Sequence, residues 1–158
     1  MKFLSLILSG LLLAPCCWAA SFDPPKGWKV EAPASKVIEF NAFHGNDAAI
    51  IVAKRAKDGV PGDSLAEVLD FFIADQRANP TYAKETKTKK VKAGALEGMS
   101  ITYEVTSPDP KGVKIAMRFQ FTVFPHKEDY LIVMASARAP LFPKFEKSFD
   151  QMLPTFKP

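Results

Sequence analysis

The chain has 158 residues, 47% of them hydrophobic and 24% charged, with a formal net charge of +4. These are the proportions of a globular chain long enough for one domain with a real core, and they exclude a disordered or collagen-like polymer. So mild a charge is too weak to argue for nucleic acid as a partner.

Met1–Ala20 reads as a cleaved secretory signal, leaving 21–158 as a single domain. Lys2 supplies the positive start. Phe3–Leu13 is an apolar run interrupted only by Ser5, Ser9 and Gly10, and a small-residue exit follows. The run is shorter than the ~20 apolar residues of a membrane span. Cleavage is expected after Ala19, or after Ala20 with bulky Trp18 three residues before the cut. Leu13-Ala14-Pro15-Cys16 competes as a lipid-attachment box, but Pro15 stands where that box takes Gly or Ala. Membrane anchoring is therefore expected only if Cys16 or Cys17 is lipidated. Both cysteines lie in this segment, so the processed chain has no disulfide although an oxidising compartment is expected. Removing Lys2 leaves 20 basic and 17 acidic side chains, a net +3. The expected location is the bacterial periplasm or the exterior.

In Ser21–Lys36, Pro24-Pro25-Lys26-Gly27 marks a turn and Trp28-Lys29-Val30 a short strand. Trp28 is read as a lid on the core, with a stacking platform for sugar or peptide as the alternative. Val37–Phe43 and Ala48–Ala53 form a hairpin through His44-Gly45-Asn46-Asp47, whose residues tolerate positive φ. Ser64–Ala78 is a helix. Ser64 and Glu67 make a capping box, and Leu65, Val68, Leu69, Phe72 and Ile73 form one apolar stripe that must lie on a sheet. Pro80 stops it.

Thr81–Lys92 reads as one basic strand, polar on both sides, at a sheet edge. Lys84, Lys87, Lys89, Lys90 and Lys92 would discourage edge-to-edge association there. The alternative is a basic rim for an anionic partner such as lipid headgroups or an acidic protein. Met99–Thr106 alternates apolar with polar residues and pairs with the next strand, Val105 opposite Val113 and Glu104 opposite Lys114.

Val113–Phe124 alternates with a period of two, which predicts one buried face. Pro125–Asp129 is the expected turn. Tyr130–Ala137 is apolar on both sides and reads as a central strand covered on both faces. An even register sets Phe124 beside Tyr130, with Ile132 and Met134 continuing the row. Either the last helix covers that row or part of it stays open as a groove for an apolar or extended ligand. In Ala139–Lys157, Leu141, Phe145, Phe149, Met152 and Leu153 fit a helix, Phe142 fits less cleanly, and Pro154 ends it.

The two histidines, His44 and His126, fall in separate turns, and no spacing resembles a zinc signature. Neither a metal nor a cofactor is expected. Ser100 and Ser136 lie in strands without a nearby base, and the chain has no nucleophile elbow, P-loop or dinucleotide fingerprint. The DGVPGD loop at Asp58–Asp63 falls short of EF-hand ligand density. These features predict a non-enzymatic exported accessory protein that binds a protein partner in the periplasm or envelope. The alternatives are a small apolar-ligand carrier or enzyme using a pocket on the Phe124, Tyr130, Ile132 and Met134 face, and an immunity or chaperone protein for a secreted toxin.

Lys26-Gly27-Trp28, Tyr130-Leu131-Ile132-Val133 before Ala135-Ser136, and Phe145 with Ser148-Phe149 carry a resemblance. Together with the order of elements, they make the stretch from Trp28 to Phe156 resemble the Mog1/PsbP-like fold family, especially its exported bacterial DcrB-like branch. The resemblance implies an α+β fold, an α/β/α sandwich. A central antiparallel sheet of about six to seven strands would carry one helix after the first hairpin and a C-terminal helix on the opposite face. Relatives in that family are mostly non-enzymatic: partners of a small GTPase, an extrinsic photosystem subunit, effector chaperones and envelope lipoproteins. The chain departs from the DcrB-like pattern at its lipid-attachment cysteine, because Pro15 precedes Cys16.

Overall fold

The computed structural model describes residues 22–33, 35–108 and 112–157. The secretory segment, its cleavage sites and both cysteines lie outside them. Eight strands form one antiparallel sheet: β1 (Lys29–Glu31), β2 (Ile38–His44), β3 (Ala48–Ala56), β4 (Tyr82–Ala83), β5 (Lys89–Ala93), β6 (Leu96–Pro108), β7 (Lys114–His126) and β8 (Asp129–Arg138). The order is β1-β2-β3-β8-β7-β6-β4, with β5 also paired to β6. Strand β8 sits in the middle, as its two apolar sides require. Helix α1 (Leu65–Arg77) packs on β6 and β7, and α2 (Phe142–Met152) packs on β8 and β3 from the opposite face.

Each helix follows from local chemistry. The Ser64 hydroxyl accepts from the Glu67 amide, and the Glu67 carboxylate accepts from the Ser64 amide, closing the expected capping box. Val68, Leu69 and Ile73 are buried against Ile101, Tyr103, Val105 and Val123. In α2, Phe142, Phe145, Phe149 and Met152 are buried. Phe142 is 1% exposed, so it is a core residue despite its imperfect spacing. These rings seal Ile50, Val52, Leu131 and Val133.

Several local expectations shift. The Thr81–Lys92 strand is two short pieces, β4 and β5, both on β6. Lys84 between them takes a positive φ of 52°, which no regular strand holds. Val105 stands opposite Met117 and Glu104 opposite Arg118, four residues along from the expected register. An even shift leaves every side chain on its expected face.

The polar side of β7 is not solvated. Gln120 and Thr122 are 2% and 1% exposed, beneath Phe149, Met152 and Leu153. Thr122 donates to the Ser100 hydroxyl at 2.9 Å, so both hydroxyls are answered in the interior. Alternation on β7 thus separates an apolar side that is half-buried up to Val123 from a side whose polar residues Gln120 and Thr122 are buried.

Gly98 marks a close approach. A Cβ there would lie 2.5 Å from the Val123 carbonyl oxygen and would also overlap the Phe124 ring. Gly98→Ala is expected to cost about 1–3 kcal/mol through overpacking. Urea unfolding should show this as a lower midpoint at unchanged slope.

Candidate functional site

The predicted row of Phe124, Tyr130, Ile132 and Met134 is split between the two faces of the sheet. Strands β7 and β8 continue to His126 and Asp129, so the turn is only Lys127-Glu128, and Phe124 stands opposite Leu131. That differs from the expected register by one residue, and an odd slip moves side chains to the other face. Phe124, 1% exposed, lies under α2. Tyr130, Ile132 and Met134 lie on the α1 side, opposite Pro125, Val123 and Phe121. Trp28 belongs to the α2 side, where its ring meets His44, Phe145 and Phe149 edge-on at 5.8–5.9 Å. This packing is that of a core lid.

The α1 side is only half covered. Phe72 meets Tyr130 edge-on at 6.1 Å and marks the limit of the helix. Beyond it, Ile51, Ala53, Ile132 and Met134 are half-buried, and α1 packs mainly on β6 and β7 rather than on the strands that carry them. Phe43, Ala49, Met117 and Ser136 continue this surface into a shallow hollow of about 230 Å³. Asn41, opposite Ile51, is 7% exposed, and its side-chain oxygen has no hydrogen-bond partner among the described residues.

The predicted basic edge is not one rim. Lys90 and Lys92 share the α1 face of β5, opposite Met99 and Glu97, whereas Lys89, opposite Ser100, points to the other face. Lys84 pairs with Glu104 at 3.3 Å, and Lys92 with Glu97 at 3.0 Å. Lys87 lies in the stretch between β4 and β5. Lys90 and Lys92 border a cleft of about 540 Å³ whose walls include Leu65, Ala66, Val91 and Met99. Sequence reasoning did not find this cleft. It exists only because β5 pairs with the first half of β6 beneath the start of α1.

Several other ionisable groups are engaged. Glu104, 5% exposed, is held by Arg118 and Lys84, and the Arg118 guanidinium lies 5.6 Å from the Phe142 ring centre. Arg118 above all, and then Lys84, keep the Glu104 carboxyl below its ordinary range against the opposing effect of burial. Arg77 bonds Glu85 through two nitrogens at 2.7 and 2.8 Å and Asp70 at 2.9 Å. The Tyr82 hydroxyl donates to Glu85, and burial followed by that acid raises its pKa. Tyr103, stacked between Tyr82 and Phe119, is pushed by burial to about 12.

His44 packs 5.0 Å from Phe145 at one end of the sheet, and His126 packs 6.4 Å from Phe156 at the other. Neither is a plain solvated turn residue. Burial, then the charges of Lys127 and Lys54, lower the His126 pKa. Among the described residues no group of three His, Cys, Asp or Glu could hold a metal. No described helix is long and apolar enough to cross a membrane.

The Glu104 cluster fixes an acid limit. A carboxyl depressed in the folded state contributes stability that is present above its ordinary pKa of 4.5 and lost as pH falls below it. A plot of melting temperature against pH should fall below about 4.5, and Glu104→Gln should flatten part of that fall.

No family model and no curated protein matches the sequence. Solved structures do match. LpqN of Mycobacterium tuberculosis, involved in cell envelope biogenesis, superposes with a TM-score of 0.59 at 15% identity, over 88% of this chain and 83% of its own. Cyanobacterial PsbP, CyanoP, from Synechocystis sp. PCC 6803 gives 0.56 at 12% identity, over 88% and 86%. The fold is Mog1/PsbP-like. PA94 of Pseudomonas aeruginosa, a protein of unknown function, gives 0.56 at 15% identity over 92% and 88%. At such identities the likeness establishes architecture alone.

Proposed function

We propose that this chain is an exported, non-enzymatic accessory protein of the bacterial envelope, in the DcrB-like manner, that binds a protein partner across the open half of its sheet. The observation that carries the reading is the half-buried surface of Ile51, Ile132 and Met134, carried by strands other than those on which α1 mainly packs. Burying such a surface against a partner returns roughly 25 cal/mol per Å² of apolar area. The engagement of Glu104, Glu85 and Arg77 in ion pairs supports a binding role over a catalytic one. The Mog1/PsbP-like fold and the envelope role of LpqN support the setting. The hollow beside Phe43 and Met117 favours a second reading, a carrier of a small apolar ligand on the same surface.

A photo-crosslinking residue at Met134 tests the site in intact cells. It should yield a discrete protein adduct, whereas the same residue at Phe71, exposed on α1, should not. A mass increase of only a few hundred daltons would favour the carrier, and no adduct from Met134 would remove the proposal. The secretory reading has its own check. Mass spectrometry of the exported chain should place its first residue at Ala20 or Ser21, and a lipidated Cys16 would replace the free protein with an anchored one.

A further inference from the structure

We propose that the cleft between the start of α1 and β5 binds a small amphipathic anion, a carboxylate on an unbranched alkyl chain. This site is separate from the open sheet surface and does not depend on it. The volume, about 540 Å³, lies within the ~300–1,000 Å³ range of small-molecule sites. The aliphatic walls are Leu65 and Ala66 from the helix and Met99 from the sheet, with the backbone of Val91 between the two lysines.

The charges stand on one side. Lys90 and Lys92 alternate onto the α1 face of β5 and border the cleft, with Glu97 as the acid beside them. Glu97 pairs with Lys92 at 3.0 Å. Among the lining residues, two cations against one acid leave a single positive charge beside an apolar space, while the Glu67 carboxylate at the helix start is taken up by the Asp63 and Ser64 amides. A monoanion with an alkyl tail complements both parts. A neutral alcohol leaves the ammonium unmatched, and a cation meets repulsion. The helix end is not the recognising element, because Ser64 and Glu67 already cap each other there.

The test is calorimetric titration of the exported chain with decanoate, with amide NMR to place the ligand. Decanol, decyltrimethylammonium and acetate are the comparators. Decanoate should bind up to about fivefold more tightly than decanol, the scale of exposed ion pairing, and should weaken with added salt. Shifts should centre on Leu65, Val91 and Met99. K90Q/K92Q should abolish the preference over decanol, and Glu97→Gln should strengthen decanoate binding by releasing Lys92. All three side chains are exposed, so the variants should melt like the parent. Equal binding of decanoate and decanol, preference for the cation, shifts centred on Ile51 and Met134, or no binding would each overturn the proposal. The crosslink from Met134 is unaffected by any of these outcomes, so the two sites stand or fall separately.

Discussion

Strand β8 hydrogen-bonds along both edges, to β3 and β7, and that constraint positions the rest. With both edges occupied, only its two faces remain to be covered. Leu131, Val133 and Ala135 take the face under α2, where the phenylalanines of the last helix close the main core. The other face falls between two elements. Helix α1 follows β3 in the chain but lies over β6 and β7, so the sheet is double-covered on one half and single-covered on the other. The uneven coverage therefore follows from chain order and helix length.

The parts legible in the sequence were those in which one residue pattern has one outcome. Ser64 and Glu67 announce a helix start because their spacing lets each answer the other's amide. The two apolar sides of Tyr130–Ala137 announce a central strand. The register of the β7–β8 hairpin was not legible. Pro125 and His126 carry the composition of a turn yet continue the strand. Pro125 is tolerated because β6 pairing with β7 ends at Val123, so its missing N–H faces no ladder on that side. One residue of extra strand reversed the predicted row of side chains. The burial of Gln120 and Thr122 was hidden for a related reason. A polar residue facing water and one facing a matching hydroxyl look alike in a sequence.

The candidate surfaces show the same division. Ile132 and Met134 were readable as apolar on a strand expected to be covered on both faces, with a partly open row as the alternative, and the structure keeps them half-buried. Their separation from Phe124 and Trp28 needed the register. The basic run was readable as an edge, but its lysines serve different neighbours. Lys84 answers a buried acid, Lys92 an exposed one, and Lys90 borders an aliphatic cleft. A run of like charges becomes several local circumstances once the strand breaks in two.

That break has a wider consequence. One border of the sheet is the three-residue β1, and the other is β4 and β5, interrupted at Lys84 and studded with ammonium groups. Neither border presents a long, regular row of vacant peptide groups. An extended polypeptide therefore has little backbone to zip onto, and copies crowded together lack a template for fibril growth.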